Sequence, residues 1–334
     1  MAAVMEQSTM PAAPEVRIRN LSVAYQTSTG LFDAVHKLDL DIPKASITAV
    51  IGESGSGKST LAMAMLNSVT FPGSIRSGTI EYAGRGDIVT FDRERLRRFR
   101  GEHAAMVFQA SQDTLNPLKR VGAQLLDLAR SHGVKDKRKV LREARELAER
   151  MALPADRTLT SYQHELSGGM RQRVSIIFAL ALHPQIVLLD EPTTALDVLS
   201  QSHVLEIIRE IHRERGLTTL LITHDMGVVA ELSDRVVVMY AGRIAEDAPS
   251  RELLRRPLHP YSQALIRAIP RLTGPLDDAQ ALPGAPLELR QIPKAGCVFR
   301  DRCPARMPVC DTGTPELREV APGRRVACHL EVTP

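Results

Sequence analysis

The stretch ASITAVIGESGSGKSTLAMAMLNSV, residues 45–69, decides the fold of this 334-residue chain. An apolar, β-branched run ends at Gly52, a glycine-rich turn follows, and the next residues have helical character. The turn fits G-x-x-x-x-G-K-[ST], and glycines there let backbone N–H groups surround phosphate oxygens at a helix N-terminus. An ordinary Gly/Ser loop is the alternative, but the strand before it and the helix after it favour an ATP or GTP site.

Two side chains of this turn carry specific chemistry. Lys58 would place a cation on the β- and γ-phosphates, and the Ser59 hydroxyl would ligate Mg²⁺. The residues predicted to hold the nucleotide phosphates are Gly52, Ser54, Gly55, Ser56, Gly57, Lys58, Ser59 and Thr60.

A pair of carboxylates supports this interpretation. Four apolar residues, 186–189, end in Asp190 and Glu191. A buried strand delivers such side chains at its C-terminal edge, where ligands bind in parallel sheets. We expect Asp190 to hold Mg²⁺ and Glu191 to polarise the attacking water as the general base. Two solvated acids at an exposed strand end are the alternative.

Two further polar residues follow apolar runs. His224 leaves the run 217–223, where a γ-phosphate contact is geometrically feasible, and Gln109 follows Val107 and Phe108. The amide of Gln109 can contact Mg²⁺ or the attacking water. As isolated residues neither would carry weight, because a lone histidine or glutamine is most often structural.

Apolar strands alternate with helical segments along the first 250 residues, which predicts an α/β core with a mainly parallel sheet. A helical block at about 112–177 lies between two strand-bearing halves and is interpreted as an inserted subdomain. The sequence contains one phosphate loop and no internal repeat. The predicted strands are 16–25, 45–51, 104–108, 186–189, 217–223 and 236–240.

Composition changes near residue 250. The segment 251–334 holds 12 of the 21 prolines, all four cysteines and, with 13 Lys/Arg against 9 Asp/Glu, the whole net charge of +4. Its arginines lack interleaved aromatic residues, so nucleic acid is not an expected partner. No apolar run approaches the ~20 residues of a membrane-spanning helix, and no secretory signal is visible. We therefore expect a cytosolic chain that reaches a membrane only by docking on other subunits.

The pentapeptide Leu166–Met170, with sequence LSGGM, completes an ordered set of motifs. The set comprises Tyr25, the loop 52–59, Gln109, 166–170, 186–192, 195–197 and His224. Over residues 15–250 this set resembles the nucleotide-binding subunit of an ATP-binding cassette (ABC) transporter. The resemblance implies a P-loop NTPase (RecA-like) core with an antiparallel N-terminal β part, the inserted helical subdomain and a small Cys/Pro-rich C-terminal extension.

The resemblance also implies roles for individual residues. Tyr25 would stack on adenine, and Ser167, Gly168 and Gly169 would bind the γ-phosphate of ATP held by a partner subunit. Asp197 would lie at the subunit junction. The segment after Gln109 would receive the coupling helices of membrane subunits. Because Lys58, Asp190, Glu191 and His224 are all present, we expect a hydrolytically competent site.

The similarity is greatest to the di/oligopeptide branch, on the motifs 111–117, HELSGGMRQR at 164–173 and His259-Pro260-Tyr261. Gln163 and the turn 43–45 depart from the common pattern without touching the nucleotide chemistry. The branch implies an ATP-hydrolysing subunit of a peptide importer at the cytoplasmic face of the inner or plasma membrane. Nickel chelates and oligosaccharides remain alternative solutes, and a soluble cassette ATPase acting on nucleic acid is the rival class.

The implied partners are a second, non-identical ATPase in a head-to-tail dimer, two transmembrane permease subunits and an extracytoplasmic solute-binding protein. The implied domains are a flexible N-terminus, 1–14, a nucleotide-binding domain, 15–250, and an oligopeptide-transporter-type C-terminal domain, 251–334.

The four cysteines, Cys297, Cys303, Cys310 and Cys328, lie in a 32-residue window with spacings x5, x6 and x17. Disulfides are disfavoured in the cytosol, whereas four thiolates suit Zn²⁺ or an iron–sulfur cluster. Free thiols remain an alternative. The tail resembles the GC-x-F-x-x-R-C-P tail of peptide-transporter ATPases, some of which carry a 4Fe–4S cluster. A metal centre would supply the cross-link that folds a proline-rich tail with few apolar residues.

Overall fold

The computed structural model describes residues 14–109, 114–268 and 284–331. The expected flexible N-terminus, 1–14, lies outside the described residues apart from Pro14. Part of the motif 111–117 and the predicted start of the helical block also lie outside them.

Strands and helices alternate along the described chain. In chain order they are β1 (Pro14–Thr27), β2 (Gly30–Pro43), β3 (Ile47–Ile51), α1 (Lys58–Met65), β4 (Gly73–Tyr82), β5 (Gly86–Asp87), α2 (Arg93–Glu102), β6 (Ala104–Val107), α3 (Val121–Ser131), α4 (Lys137–Arg150), α5 (Ala155–Thr160), α6 (Gly168–Leu180), β7 (Ile186–Asp190), α7 (Val198–Arg215), β8 (Thr218–Ile222), α8 (Met226–Leu232), β9 (Arg235–Tyr240), β10 (Arg243–Pro249), α9 (Ser250–Arg255), α10 (Pro260–Arg267), α11 (Val309–Thr312), β11 (Arg318–Ala321) and β12 (Arg324–Val326).

The larger sheet positions the nucleotide chemistry. Its strand order is β11-β12-β10-β9-β3-β8-β7-β6, and the five strands from β9 to β6 are parallel. Every residue of β3, β7 and β8 is buried, as continuous apolar runs in a covered parallel sheet require. The α/β architecture with a mainly parallel sheet is therefore confirmed. Because parallel strands end at one edge, the carboxyl ends of β3, β7 and β8 converge there.

The expected antiparallel N-terminal part forms the smaller sheet, with the order β2-β1-β4-β5. Its inner face packs on α1 and on one face of the larger sheet, in a cluster that includes Ile18, Leu40, Leu61, Ile80 and Val237. The helix that follows the phosphate loop is thereby held between two sheets.

Helices α3 to α6 lie between β6 and β7 in the chain. Two of them, α3 and α4, belong to the predicted helical block and are separated by a turn in which Gly133 has a φ of 69°. Val140, Ala144 and Leu147 are buried on one face of α4, as their three-to-four spacing predicts. Ala144 and Leu147 share a core with α6 and β7, so the helical block packs directly on the sheet.

The C-terminal segment extends the larger sheet through β12, which pairs antiparallel with β10. Cys297, Phe299 and Cys310 are buried against Tyr240 and Tyr261. The tail therefore shares a core with the sheet instead of relying on apolar residues of its own. No helix within the described part of the chain has the length and apolar character needed to cross a membrane.

Candidate functional site

The phosphate loop, residues 52–57, joins β3 to α1 in a conformation that only glycine tolerates at two points. Gly52 has a φ of 148°, and a Cβ there would lie 2.1 Å from the carbonyl oxygen of Met239. Gly57 has a φ of 100°, and its Cβ would lie 2.3 Å from the carbonyl oxygen of Ala34. The loop is thus pressed against both sheets, and its glycines are required by contact as well as by backbone angle.

Lys58 folds back over this loop. Its Nζ donates hydrogen bonds to the carbonyl oxygens of Gly52 and Glu53, both at 2.8 Å, and to Ser56 Oγ at 3.3 Å. Burial lowers the pKa of Lys58, while the carboxylates of Glu191, Asp190 and Glu53 oppose that shift. The ammonium is therefore held at the sheet edge, facing the acidic end of β7.

Asp190 and Ser59 form the predicted magnesium pair. Asp190 is 2% exposed, and the Ser59 hydroxyl hydrogen-bonds its carboxylate. Burial raises the pKa of Asp190, and its Oδ1 has no hydrogen-bond partner among the described residues. A buried carboxylate oxygen without a partner is costly unless a cation satisfies it. One carboxylate and one hydroxyl fit Mg²⁺, which binds through few protein oxygens and the nucleotide phosphates.

Glu191 and His224 form a second pair beside it. His224 Nδ1 lies 2.8 Å from Glu191 Oε1, and the His224 side chain is 73% exposed while that of Glu191 is 13% exposed. Glu191 has a φ of 52°, a left-handed conformation that costs a non-glycine residue roughly 1–3 kcal/mol. Its N–H donates to the Ile222 carbonyl at 2.9 Å. The carboxylate is thereby turned out of the strand direction and aimed at the exposed imidazole.

The sequence did not identify Gln172 as a site residue. Its side-chain Nε2 donates a 3.1 Å hydrogen bond to the Glu191 carbonyl oxygen, and the residue is 1% exposed. Gln172 lies within the motif HELSGGMRQR, but that motif did not indicate a role for this residue.

Tyr25 lies at the end of β1, beside α1. Its hydroxyl shares a 3.4 Å hydrogen bond with Thr60 Oγ1. Its ring lies so near Gly73 that a Cβ there would be 2.7 Å from the ring edge. The partly exposed ring is therefore fixed next to the phosphate-loop helix, and its adenine contact stays a prediction.

Gln109 is exposed and follows β6, which pairs in parallel with β7. It therefore lies beyond the same edge of the sheet as Asp190. The following residues, 110–113, are not described. Its contact with Mg²⁺ or water stays a prediction.

The LSGGM residues assemble at a helix N-terminus. Ser167 is exposed and caps α6, because its Oγ accepts the N–H of Met170 at 3.3 Å. A Cβ on Gly169 would lie 3.0 Å from the Leu196 side chain. Asp197 caps α7 by accepting the Ser200 N–H at 3.0 Å. The structure thus brings Ser167, Gly168 and Gly169 together with the residues before α7, at an end of α6 that is suited to an anion.

The four cysteines approach one another without forming a ligand set. All are free thiols, and the Cys297 N–H donates to the Cys310 carbonyl at 2.8 Å. Burial raises the pKa of Cys297, Cys303 and Cys328, and neighbouring thiols add to the shift. Within residues 14–109, 114–268 and 284–331, no group of three or more His, Cys, Asp or Glu side chains could hold a metal ion.

Comparison with known proteins gives matches along the chain. A family model described as "ABC transporter" matches residues 35–194, and one described as "Oligopeptide/dipeptide transporter, C-terminal region" matches residues 245–310. The chain is 37% identical over 335 residues to the oligopeptide transport ATP-binding protein OppD of Escherichia coli (strain K12), covering 98% of each. It is 37% identical to the dipeptide transport ATP-binding protein DppD of Caldanaerobacter subterraneus, covering 94% of this chain and 96% of DppD.

Among solved structures, the chain is similar to the dimeric structure of MJ0796, a bacterial ABC transporter cassette. The TM-score is 0.63 at 25% identity, covering 71% of this chain and 99% of the cassette. CbiO1 of Clostridium perfringens, from the complex CbiONQ, gives a TM-score of 0.61 at 25% identity, covering 73% and 92%. The larger part of this chain therefore shares the fold of both cassettes.

Proposed function

Because the chain belongs to the ABC transporter family, in its oligopeptide and dipeptide branch, we propose that it is the ATP-hydrolysing subunit of a peptide importer. The observation that carries the proposal is the similarity to OppD over 98% of both chains. That similarity includes the C-terminal region, which matches a family model whose description names oligopeptide and dipeptide transporters. Di- and oligopeptides are the proposed cargo, ahead of nickel chelates and oligosaccharides.

The site geometry supports a hydrolytic mechanism. The loop N–H groups and Lys58 bind the phosphates, and Glu191 takes the proton of the attacking water while His224 orients it. Ser59, Asp190 and Gln109 would hold Mg²⁺, which would supply positive charge against the charge that develops on the phosphates. Tyr25 would stack on adenine. Two contacts support these roles: the 2.8 Å approach of His224 to Glu191, and the hydrogen bond between the Ser59 hydroxyl and the Asp190 carboxylate.

The active unit is proposed to be a dimer. Ser167, Gly168 and Gly169 present a helix N-terminus, and they would bind the γ-phosphate of ATP held by a second ATPase subunit. Asp197 would lie at the junction of the two subunits. The dimeric MJ0796 cassette supports this assembly. A non-identical partner is proposed, as the resemblance to this branch implies.

A groove between the core and the helical block supports docking on membrane subunits. Its volume is about 860 Å³, and apolar residues line much of it, including Phe108, Leu115 and Phe178. Phe108 is 41% exposed. We propose that two transmembrane permeases insert coupling helices here, which would place the chain at the cytoplasmic face of the inner or plasma membrane. An extracytoplasmic solute-binding protein would deliver the peptide.

We also propose that the C-terminal domain, 251–334, holds a 4Fe–4S cluster on its four cysteines, with zinc as the alternative. The approach of four free thiols in one part of the fold supports this. Their arrangement among the described residues is not a ligand set. Iron, sulfide and zinc analysis of anaerobically isolated protein, with Cys303→Ser as control, tests it. Wild-type protein without stoichiometric metal would contradict the proposal.

Replacement of Glu191 tests the hydrolytic role. Glu191→Gln should lower ATP turnover by about 10²–10⁴-fold, because the amide cannot accept the proton of water. ATP-dependent dimerisation should persist, since the phosphate and magnesium residues are retained. The measurement is steady-state phosphate release together with size-exclusion chromatography, each with and without ATP.

Glu214→Gln is the matched control, because Glu214 pairs with Arg150 at the surface. Unchanged turnover in Glu191→Gln would show that another group is the base. In the assembled transporter, peptide should stimulate ATP turnover. Salt-dependent DNA or RNA binding by the purified chain, without peptide stimulation, would favour the rival class.

A further inference from the structure

Glu53, the second residue of the phosphate loop, forms an ion pair with the C-terminal segment. Arg302 Nη1 lies 2.6 Å from Glu53 Oε2, and Arg302 Nη2 lies 3.0 Å from Glu53 Oε1. The pair is bidentate and joins residues 249 positions apart. The Arg302 side chain is 7% exposed and that of Glu53 is 17% exposed. Water therefore screens this pair little.

The backbone of Glu53 is fixed by the same segment. Its N–H donates to the hydroxyl of Tyr261, at the start of α10, with a distance of 2.8 Å. Tyr261 packs against Tyr240 at 4.7 Å and against Phe299 at 5.3 Å between ring centroids. Tyr240 in turn accepts a 3.3 Å hydrogen bond from Arg302. A packed aromatic cluster thus orients both groups that hold Glu53.

Glu53 transmits this restraint into the phosphate loop. Its carbonyl oxygen accepts the Lys58 Nζ at 2.8 Å and the Ser56 N–H at 3.2 Å. The tail holds the N–H and the carboxylate of Glu53, while the loop uses its carbonyl. A shift of Glu53 would therefore move the acceptor that positions the phosphate-binding ammonium.

The contacts have the strength to matter for binding. The Arg302 guanidinium meets the Glu53 carboxylate through two N–H···O bonds, and an arginine side chain stays charged throughout the accessible pH range. Removing one partner of a buried pair leaves a desolvated charge behind, which disturbs its surroundings more than the loss of a surface pair does. A lysine cannot reproduce the bidentate geometry.

We propose that Arg302 and Tyr261 are positioning residues of the ATP site: through Glu53, the C-terminal segment holds the phosphate loop and Lys58 in the geometry that binds ATP. The inference rests on the proposed ATPase function and goes beyond it, because it makes the tail a determinant of nucleotide affinity. It does not depend on a metal in the tail. Arg302 and Tyr261 contact neither phosphate nor water in the reaction, so their effect should fall on binding.

The test is a double-mutant cycle on the full-length chain, with Arg302→Gln, Glu53→Gln and the double variant. The Kd for ATP is measured by equilibrium binding to the chain, KM and kcat by phosphate release from its complex with the second ATPase subunit, and stability by thermal unfolding of the chain. Each single variant should raise Kd and KM about five- to twentyfold with kcat within about twofold, and the double variant should be no worse than either single. Arg302→Lys should recover part of the loss.

Arg306→Gln is the matched control. Arg306 lies in the same segment, but it pairs with Asp301 and Asp311 and stays within the tail. It should leave Kd unchanged. Tyr261→Phe, which removes the acceptor of the Glu53 N–H, should raise Kd in the same direction and provides a second route if Arg302→Gln folds poorly.

Two results would overturn the inference. One is wild-type Kd and KM in Arg302→Gln, Tyr261→Phe and Glu53→Gln. The other is an additive double variant, which would mean that the two side chains act separately. Failure of the proposed function is distinguishable, because the wild-type chain would then not bind ATP and its complex with the second ATPase subunit would not hydrolyse it.

Discussion

At Glu191 the chain takes a left-handed backbone conformation that glycine adopts without cost and glutamate does not. Two hydrogen bonds hold the conformation: the Glu191 N–H donates to the Ile222 carbonyl, and Gln172 Nε2 donates to the Glu191 carbonyl. Glycine here would remove the strain and also the proposed general base. The surrounding contacts therefore offset a local cost that serves the chemistry.

Some residues of the site could be predicted from the sequence, and others could not. Lys58, Ser59, Asp190, Glu191 and His224 were predicted to meet, and the structure brings them to one sheet edge. Their motifs follow strands whose ends converge, so chain order alone locates them. Glu53 and Gln172 were missed because their roles depend on contacts with residues 249 and 19 positions away. No local pattern specifies such contacts.

His103 gives a prediction about pH. It is 3% exposed, lies against Tyr82 and Phe99, and has no hydrogen-bond partner on either ring nitrogen among the described residues. Burial lowers the pKa of His103 from 6.5 to about 4. The folded chain favours the neutral ring, whereas the unfolded chain takes up a proton on His103 at pH 6.5. The free energy of unfolding is therefore unaffected by this residue above pH 6.5 and decreases as the pH falls from 6.5 towards 4.

The variant His103→Phe should remove that dependence. Between pH 7 and pH 4, its free energy of unfolding should fall by about 3 kcal/mol less than that of the wild-type chain. Denaturant unfolding at both pH values measures the difference. His164→Gln, at an exposed histidine, should keep the wild-type dependence; an equal pH dependence in His103→Phe and wild type would refute the assignment.

At the scale of elements, α6 connects two parts of the ATPase chemistry. Ser167 caps its N-terminus, where a partner's phosphate is proposed to bind, and Gln172 lies about one turn further along. Gln172 contacts the Glu191 carbonyl at 3.1 Å. A movement of α6 upon phosphate binding would therefore reach Glu191, the proposed general base of the chain's own site. In the proposed dimer, the helix would connect the two ATP sites directly.

Strands made of continuous apolar residues were predicted closely. Strand β7 was predicted at 186–189 and spans Ile186–Asp190, while β9 was predicted at 236–240 and spans Arg235–Tyr240. Strands β2, β4 and β10 were not predicted. Charged or glycine residues interrupt their apolar alternation, and their stability comes from pairing with β1 or β9. Partner strands, which no local window contains, decide such elements.

Gln172→Met tests the role of α6. Methionine preserves volume and helix propensity but removes the donor to Glu191. We expect kcat to fall about five- to tenfold, the effect of one hydrogen bond of about 1 kcal/mol, with KM within about twofold. Steady-state phosphate release measures both. Gln185→Met, at an exposed position before β7, is the control, and a KM effect without a kcat effect would contradict this role.

At the scale of the molecule, the composition boundary near residue 250 is not a structural separation. Strand β12 pairs with β10, and Ala327 N–H donates to the Ala245 carbonyl at 2.9 Å. Composition identified the tail correctly as distinct in residue content. It could not reveal that the tail completes the core around Tyr240, because that core is assembled from segments far apart in the sequence.

The buried ion pair of Arg324 and Glu246 joins the tail to the larger sheet, and replacing Arg324 tests whether the two parts stabilise each other. Arg324 on β12 is 3% exposed and lies 3.3 Å from Glu246 on β10, which is fully buried and also accepts the N–H groups of Leu258 and His259. Arg324→Met leaves the Glu246 charge without its cation. The free energy of unfolding should therefore fall by about 3–5 kcal/mol.

If tail and cassette form one cooperative unit, Arg324→Met should shift the unfolding of both together. Far-ultraviolet circular dichroism reports the cassette, and the reactivity of the Cys328 thiol reports the tail; coincident transitions at a lower denaturant midpoint are expected. Arg17→Met is the control, since Arg17 and Asp41 form an exposed pair at 3.9 Å and should contribute at most about 1 kcal/mol. Early exposure of Cys328 with an unshifted cassette transition would instead mean that the tail unfolds independently. In that case, the phosphate loop would lose its Arg302 contact before the nucleotide fold itself is lost.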